Sequence, residues 1–241
     1  MKKSIAAITL SLLAAVTAAT ATATANAGIL VYGGSVVANA EPIQVIANNG
    51  FQNRNYVSTD AETKFTYDSI NLNAFCIEVY QNQALSAQYS ASLWADGSLT
   101  QRLISRLYGS FYDANKFSAT GTSALQAVIW EVVEDPTNLS FTDGKFILGP
   151  GTSAAVLALA TQFLTAIQTL PDSSAFVLTR YTSPINQDLV SAVRSPVVPV
   201  PLPASAALLG LGLFGLGLFS FGPLGLASLS RSHGRRLVQK R

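Results

Sequence analysis

One cysteine, Cys76 in the stretch "NAFCIEVYQ", is the feature that most limits how this chain can be held together. A single thiol closes no internal disulfide, so any fold must rest on apolar burial and backbone hydrogen bonding. The constraint sharpens because the N-terminus reads as an export signal. Lys2 and Lys3 precede an uncharged apolar stretch over residues 5–19, and Ala25-Asn26-Ala27 supplies the small-x-small pattern that a signal peptidase cuts after. A buried N-terminal helix suits these residues poorly, since the Ala/Thr run over 18–25 lacks the bulk to pack a core. Outside the cell a lone thiol is open to oxidation and stray pairing, so its retention calls for a chemical reason.

The C-terminus carries a second processing pattern. Residues 204–229 hold no charge, enough for a membrane-spanning helix of about 20 residues, although Pro223 and several glycines interrupt it. Arg231, Arg235, Arg236, Lys240 and Arg241 follow, a sign of charge that stays on the cytoplasmic side and turns the preceding domain outward. One reading is a permanent anchor. Another comes from the order of the parts. Val200-Pro201-Leu202-Pro203-Ala204, an apolar span and an Arg-rich tail together resemble the PEP-CTERM sorting signal in its Val-Pro-Leu-Pro-Ala variant, with Leu202 where the usual box has Glu. The resemblance implies recognition and cleavage by an exosortase-type transpeptidase, an inner-membrane intermediate, and release to the cell surface or extracellular matrix. The organisation expected is a signal peptide (1–27), an exported domain (28–195), a Pro-rich linker and sorting box (196–203), a transmembrane helix (204–230) and a cytoplasmic basic tail (231–241).

The net charge of +2 is misleading, because seven of the fifteen basic residues lie in the two processing segments. Residues 28–203 keep eight basic and all thirteen acidic residues, a net charge of −5, which argues against nucleic acid as a partner. Along this stretch the hydrophobic period changes twice. "GILVYGGSVVAN", "PIQVIANN", "FQNRNYV", "TKFTYDS" and above all "LNAFCIEVYQ" read as strands, with turns at Asn48-Asn49-Gly50 and Asp96-Gly97, while "ALSAQYSASLW" is ambiguous. From Ser98 onward, Leu99, Leu103, Ile104 and Leu107 fall at helical spacing. "SALQAVIWEVVED" predicts a second helix, capped by Ser123 and stopped by Pro136, and a third is capped near Thr152 and ended by Pro171. "AFVLTRYT" returns to strand, and Pro184 onward reads as an exit segment. This order predicts an α+β fold, a β-sandwich or barrel with an inserted helical block.

The chemistry is bounded by what is missing. The only histidine, His233, lies on the basic tail, which excludes Cys–His and Ser–His–Asp catalysis from the exported domain. No residues stand at zinc-ligand spacing and no glycine-rich phosphate loop is present, so no metal or organic cofactor is implied. A glycosidase carboxylate pair is found by geometry rather than by motif, so a secreted hydrolase stays open as a reading. Strand alternation would put Phe75, Ile77 and Val79 on the core face and Cys76, Glu78 and Tyr80 on the other. On the helix, Leu125, Val128, Ile129, Val132 and Val133 form the apolar stripe, with Gln126 at its edge and Trp130 one turn later on the same flank. Taken alone, that glutamine reads as an ordinary boundary residue.

"FCIEV" and, fifty positions after the cysteine, "LQAVIW" together resemble the thioester domains of Gram-positive surface adhesins. The resemblance implies that Cys76 and Gln126 condense into an internal thioester with loss of ammonia. Phe75, Ile77, Ile129 and Trp130 match the flanking hydrophobic positions, and Leu125 stands where a Thr is usual. Glu78 is then expected to move the proton, and Trp130 to shield the activated acyl group from water. An amine-bearing surface protein or matrix polymer would be captured through an isopeptide bond, in a single-use reaction rather than enzymatic turnover. The alternative is a non-covalent structural component of the exopolysaccharide matrix whose cysteine is unreactive.

Overall fold

The computed structural model describes residues 26–59 and 61–196. The calls on residues 1–25 and 197–241 lie outside the described residues. No helix among the described residues is long and apolar enough to cross a membrane.

Among the described residues nine strands form in chain order: β1 (Asn26–Ser35), β2 (Ile43–Asn48), β3 (Asn53–Ser58), β4 (Thr63–Tyr67), β5 (Ile70–Cys76), β6 (Ser86–Leu93), β7 (Phe146–Leu148), β8 (Phe176–Thr182) and β9 (Leu189–Arg194). Six of them close an antiparallel barrel in the order β1-β4-β5-β9-β8-β6. Strand β1 is long enough to serve both neighbours, pairing Asn26 to Val31 with β6 and Leu30 to Ser35 with β4. Leu30, Phe65, Phe75, Tyr89, Leu178 and Val190 are buried from successive strands, as the period-2 alternation requires. The other three strands make a small sheet, β3-β2-β7, in which Ile43, Val45 and Ala47 are buried and the residues between them are half-buried. Its β2–β3 hairpin turns where expected: Gly50 takes a φ of 87°, and Asn48 Oδ1 accepts from the Gly50 amide at 2.8 Å.

The helical block lies between β6 and β8. Helix α1 (Leu99–Leu107) is capped by Ser98, whose side chain accepts from the Gln101 amide, and it buries Leu103, Ile104 and Leu107. A π-helical turn (Tyr108–Tyr112) and a single turn α2 (Asp113–Asn115) lead into α3 (Ala119–Glu134), and α4 (Ala154–Ile167) packs alongside α3. Glu41 ties the two helix starts together. The Thr120 and Ser153 hydroxyls both donate to its carboxylate, holding its pKa below the usual range, and Ser123 donates to its carbonyl at 2.8 Å.

Four sequence expectations need correction. The strand read as "LNAFCIEVYQ" ends at Cys76, because β9 reaches only Leu189 opposite it and the chain then leaves the sheet. The exit segment after Pro184 contains β9, which closes the barrel between β5 and β8. The cap of α3 is Ser118 rather than Ser123, since Ser118 carries the extended backbone and accepts from the Gly121 amide at 3.2 Å. Helix α3 is not a one-sided amphipathic helix: every residue from Gly121 through Val132 is buried, because barrel, small sheet and neighbouring helices surround it. The ambiguous "ALSAQYSASLW" resolves as β6.

Candidate functional site

The site forms where β5 outruns its neighbour. Strand β4 begins at Thr63, paired with Ala74, so no β4 residue stands beside Cys76. On the other side the ladder continues, with Cys76 opposite Leu189 and the Ile77 amide donating to the Asp188 carbonyl at 2.9 Å. That leaves the buried N–H and C=O of Cys76 facing α3, where some group must satisfy them. Gln126 does so. Its Oε1 accepts from the Cys76 amide at 3.2 Å, and its Nε2 donates to the Cys76 carbonyl at 2.7 Å. The carboxamide thus takes the place of the missing strand. Gln126 is fully buried and not at the edge of an apolar stripe, so its amide is cut off from competing water.

Chemically, this clamp places an acyl group beside a thiol-bearing residue. An N–H aimed at a carbonyl oxygen polarises it toward nucleophilic addition, and the Cys76 amide is so aimed at Gln126 Oε1. Cys76 Sγ donates to Gln83 Oε1 at 3.7 Å, and the residue lines a cavity of about 530 Å³. The far wall of that cavity comes from Arg54, Tyr56 and Ser58, the inward-facing positions of β3. Burial, and after it the Cys76 thiol when ionised, push the Tyr56 phenol up to about 12, so it stays a neutral donor at physiological pH.

The residues singled out from sequence divide into three groups. Cys76 and Gln126 are brought together. Trp130 lines the same cavity, nearly fully buried and packed against Phe146 with ring centroids 6.2 Å apart. Phe75 points into the core, the face to which strand alternation assigned it, edge-on to Tyr108 and Tyr112 at 6.2 and 6.3 Å. Glu78 follows the end of β5, so the alternation expected to set it beside Cys76 does not reach it. Its carboxylate accepts from the Asp188 amide at 3.2 Å, and burial raises its pKa. The sorting residues Val200, Pro201, Leu202, Pro203 and Ala204 lie outside the described residues. Sequence reasoning missed Gln83 and the β3 wall, since nothing local marks residues that meet only through β3 packing over the 79–83 loop.

No protein-family model matches the chain, and no curated protein matches it. Among solved structures the chain is similar to the N-terminal domain of the Streptococcus pyogenes pilus tip adhesin Cpa, at 16% identity and a TM-score of 0.41, covering 68% of this chain and 99% of that one. It is similar to the thioester domain of the Staphylococcus aureus TIE protein, at 13% identity and a TM-score of 0.43, over 68% and 92% of the two chains. A third likeness is the N-terminal thioester domain of a Clostridium perfringens surface protein, at 10% identity and a TM-score of 0.40, over 63% and 99%. At these TM-scores the likeness is loose, and the reading of the site rests on Cys76 and Gln126 themselves.

Proposed function

We propose that this is an exported, adhesin-like surface protein whose domain grips a partner covalently through a Cys76–Gln126 thioester. The observation that carries this is the clamp, with Gln126 Oε1 held by the Cys76 amide at 3.2 Å and Gln126 Nε2 by the Cys76 carbonyl at 2.7 Å. In the forming reaction the Cys76 thiolate adds to the Gln126 acyl carbon, the negative charge grows on the oxygen facing the Cys76 N–H, and the nitrogen leaves as ammonia. A nucleophile on the partner then displaces the sulfur, leaving one covalent link per molecule and no turnover. Trp130 limits water at the acyl group. The C-terminal segment, in the same reading, is cut near Val200–Ala204 by an exosortase-type transpeptidase at the inner membrane.

The test is a peptide map of the full chain purified without added amine. The expected result is a linked Cys76–Gln126 peptide one ammonia lighter than its sequence mass, absent from Cys76→Ala and Gln126→Ala and opened by methylamine. A full-mass peptide with an alkylatable thiol refutes the proposal. It would favour the second reading, a non-covalent matrix component, which the 5% exposure of Cys76 and the purely structural sufficiency of the clamp also support.

A further inference from the structure

The cavity onto which Cys76 opens has a composition that discriminates between nucleophiles. Six carboxamides line it: Asn53, Asn55, Gln81, Asn82, Gln83 and Gln187. The charged side chain among its described lining residues is a cation, Arg54, and no carboxylate is among them. The nearby acids are turned to other partners, Glu78 to the Asp188 amide and Glu134 to the Val79 amide. An ammonium entering this cavity would lose its hydration beside a guanidinium with no counter-charge among the described lining residues, an unfavourable transfer.

Two polar atoms of the lining sharpen the distinction. Trp130 is 2% exposed, and its indole Nε1 has no hydrogen-bond partner among the described residues; the same holds for Gln81 Oε1. One is a donor and the other an acceptor. An ammonium donates only, so it could satisfy Gln81 and never Trp130. A hydroxyl both donates and accepts, so a chain of hydroxyls that displaced the side chains now covering these two buried atoms would satisfy both. Carboxamides are likewise paired donors and acceptors, which match the hydroxyls of a sugar. The volume of about 530 Å³ is that of a small-ligand pocket rather than of a slot for one side chain.

We infer that the nucleophile taken by this site is a hydroxyl of a neutral, polyhydroxylated polymer, so that capture leaves an ester rather than an isopeptide bond. The inference rests on the thioester reading above and names its substrate class. In the step, the sugar oxygen adds to the Gln126 acyl carbon and the C–O bond forms as the C–S bond breaks. The hydroxyl proton passes to the departing Cys76 sulfur, giving an ester and a thiol with nothing else consumed.

The experiment offers the full chain equal concentrations of maltohexaose and Nα-acetyl-lysine at neutral pH and reads the adducts by mass. Hydroxylamine at alkaline pH then separates esters, which it cleaves, from amides, which survive. The expected product is a hydroxylamine-labile sugar adduct about tenfold in excess of the amide, and Gln81→Glu shifts the ratio toward the amide by about the same factor, since a carboxylate there receives the ammonium. Predominance of the lysine amide, with the ammonia-deficient peptide present beforehand, overturns the hydroxyl assignment and leaves the thioester intact. A peptide of full mass and no adduct of either kind overturns the thioester reading, and this inference with it.

Discussion

Replacing Gln126 by leucine isolates what the clamp contributes, provided the covalent chemistry is removed first. In a Cys76→Ala background no thioester can form, yet residue 76 keeps the backbone N–H and C=O that Gln126 engages at 3.2 and 2.7 Å. Leucine nearly conserves volume, so at a fully buried position the main loss is hydrogen bonding rather than packing. Two buried backbone groups are then orphaned, at about 1–3 kcal/mol each, partly offset by the apolar side chain gained. The net expectation is a loss of about 2–4 kcal/mol, or a fall in Tm of roughly 5–15 °C for a domain of this size. Thermal and urea unfolding followed by circular dichroism measure it. A loss below about 0.5 kcal/mol, the scale of an ordinary surface change, would refute the claim that Gln126 stands in for the missing strand. Gln126→Glu in the same background adds a sign test. A protonated carboxyl can still donate to the Cys76 carbonyl, but an ionised one cannot, so stability should fall as pH rises above the unfolded glutamate pKa of about 4.3.

Three buried or half-buried carboxyls of the native chain, Glu62, Glu131 and Glu134, should show the same sign. Burial raises Glu62 to about 7, Glu131 to about 8 and Glu134 to about 7, so each favours folding less as pH climbs from the unfolded value through the raised one; the domain should unfold at lower urea at pH 8 than at pH 5, and Glu131→Gln should flatten that slope. Arg106 pairs with Asp172 at 2.8 Å and donates to the Ile167 carbonyl at the end of α4 at 3.0 Å, so Arg106→Ala should cost about 1–2 kcal/mol by chemical denaturation, and Asp172→Asn under about 1 kcal/mol because the ion pair is half-exposed. A Cβ at Gly121 would lie 2.6 Å from the Asn115 carbonyl oxygen, so Gly121→Ala should destabilise by about 1–3 kcal/mol despite its better helix propensity; a gain in Tm would show that the turn before α3 yields freely.

Local periodicity determined much of this protein. The shift from alternation to helical spacing and back is carried by short-range sterics, and Ser98, Asn48-Asn49-Gly50 and Asp96-Gly97 mark their cap and turns through hydrogen bonds spanning a few residues. Cys76 and Gln126 were paired in the sequence only through a resemblance to a family pattern, since the local context of Gln126 reads as that of an ordinary boundary residue. Tertiary structure alone decided the rest. Where β5 stops depends on where β9 begins, a segment far along the chain, and the edge it leaves open depends on where β4 begins. Ser118 rather than Ser123 caps α3, because its backbone is extended and its side chain accepts from the Gly121 amide, while Ser123 lies inside the helix and donates to the carbonyl of the remote Glu41. Helix α3 shows a one-sided stripe in isolation, yet it is buried all round because structure closes over its other faces, which turns Gln126 from a boundary residue into a fully desolvated one. The cavity beside Cys76 is assembled from β3, the loop after β5, α3 and the turn before β9. No window of sequence contains those four pieces, since their contact is fixed by strand register and packing rather than by local preference.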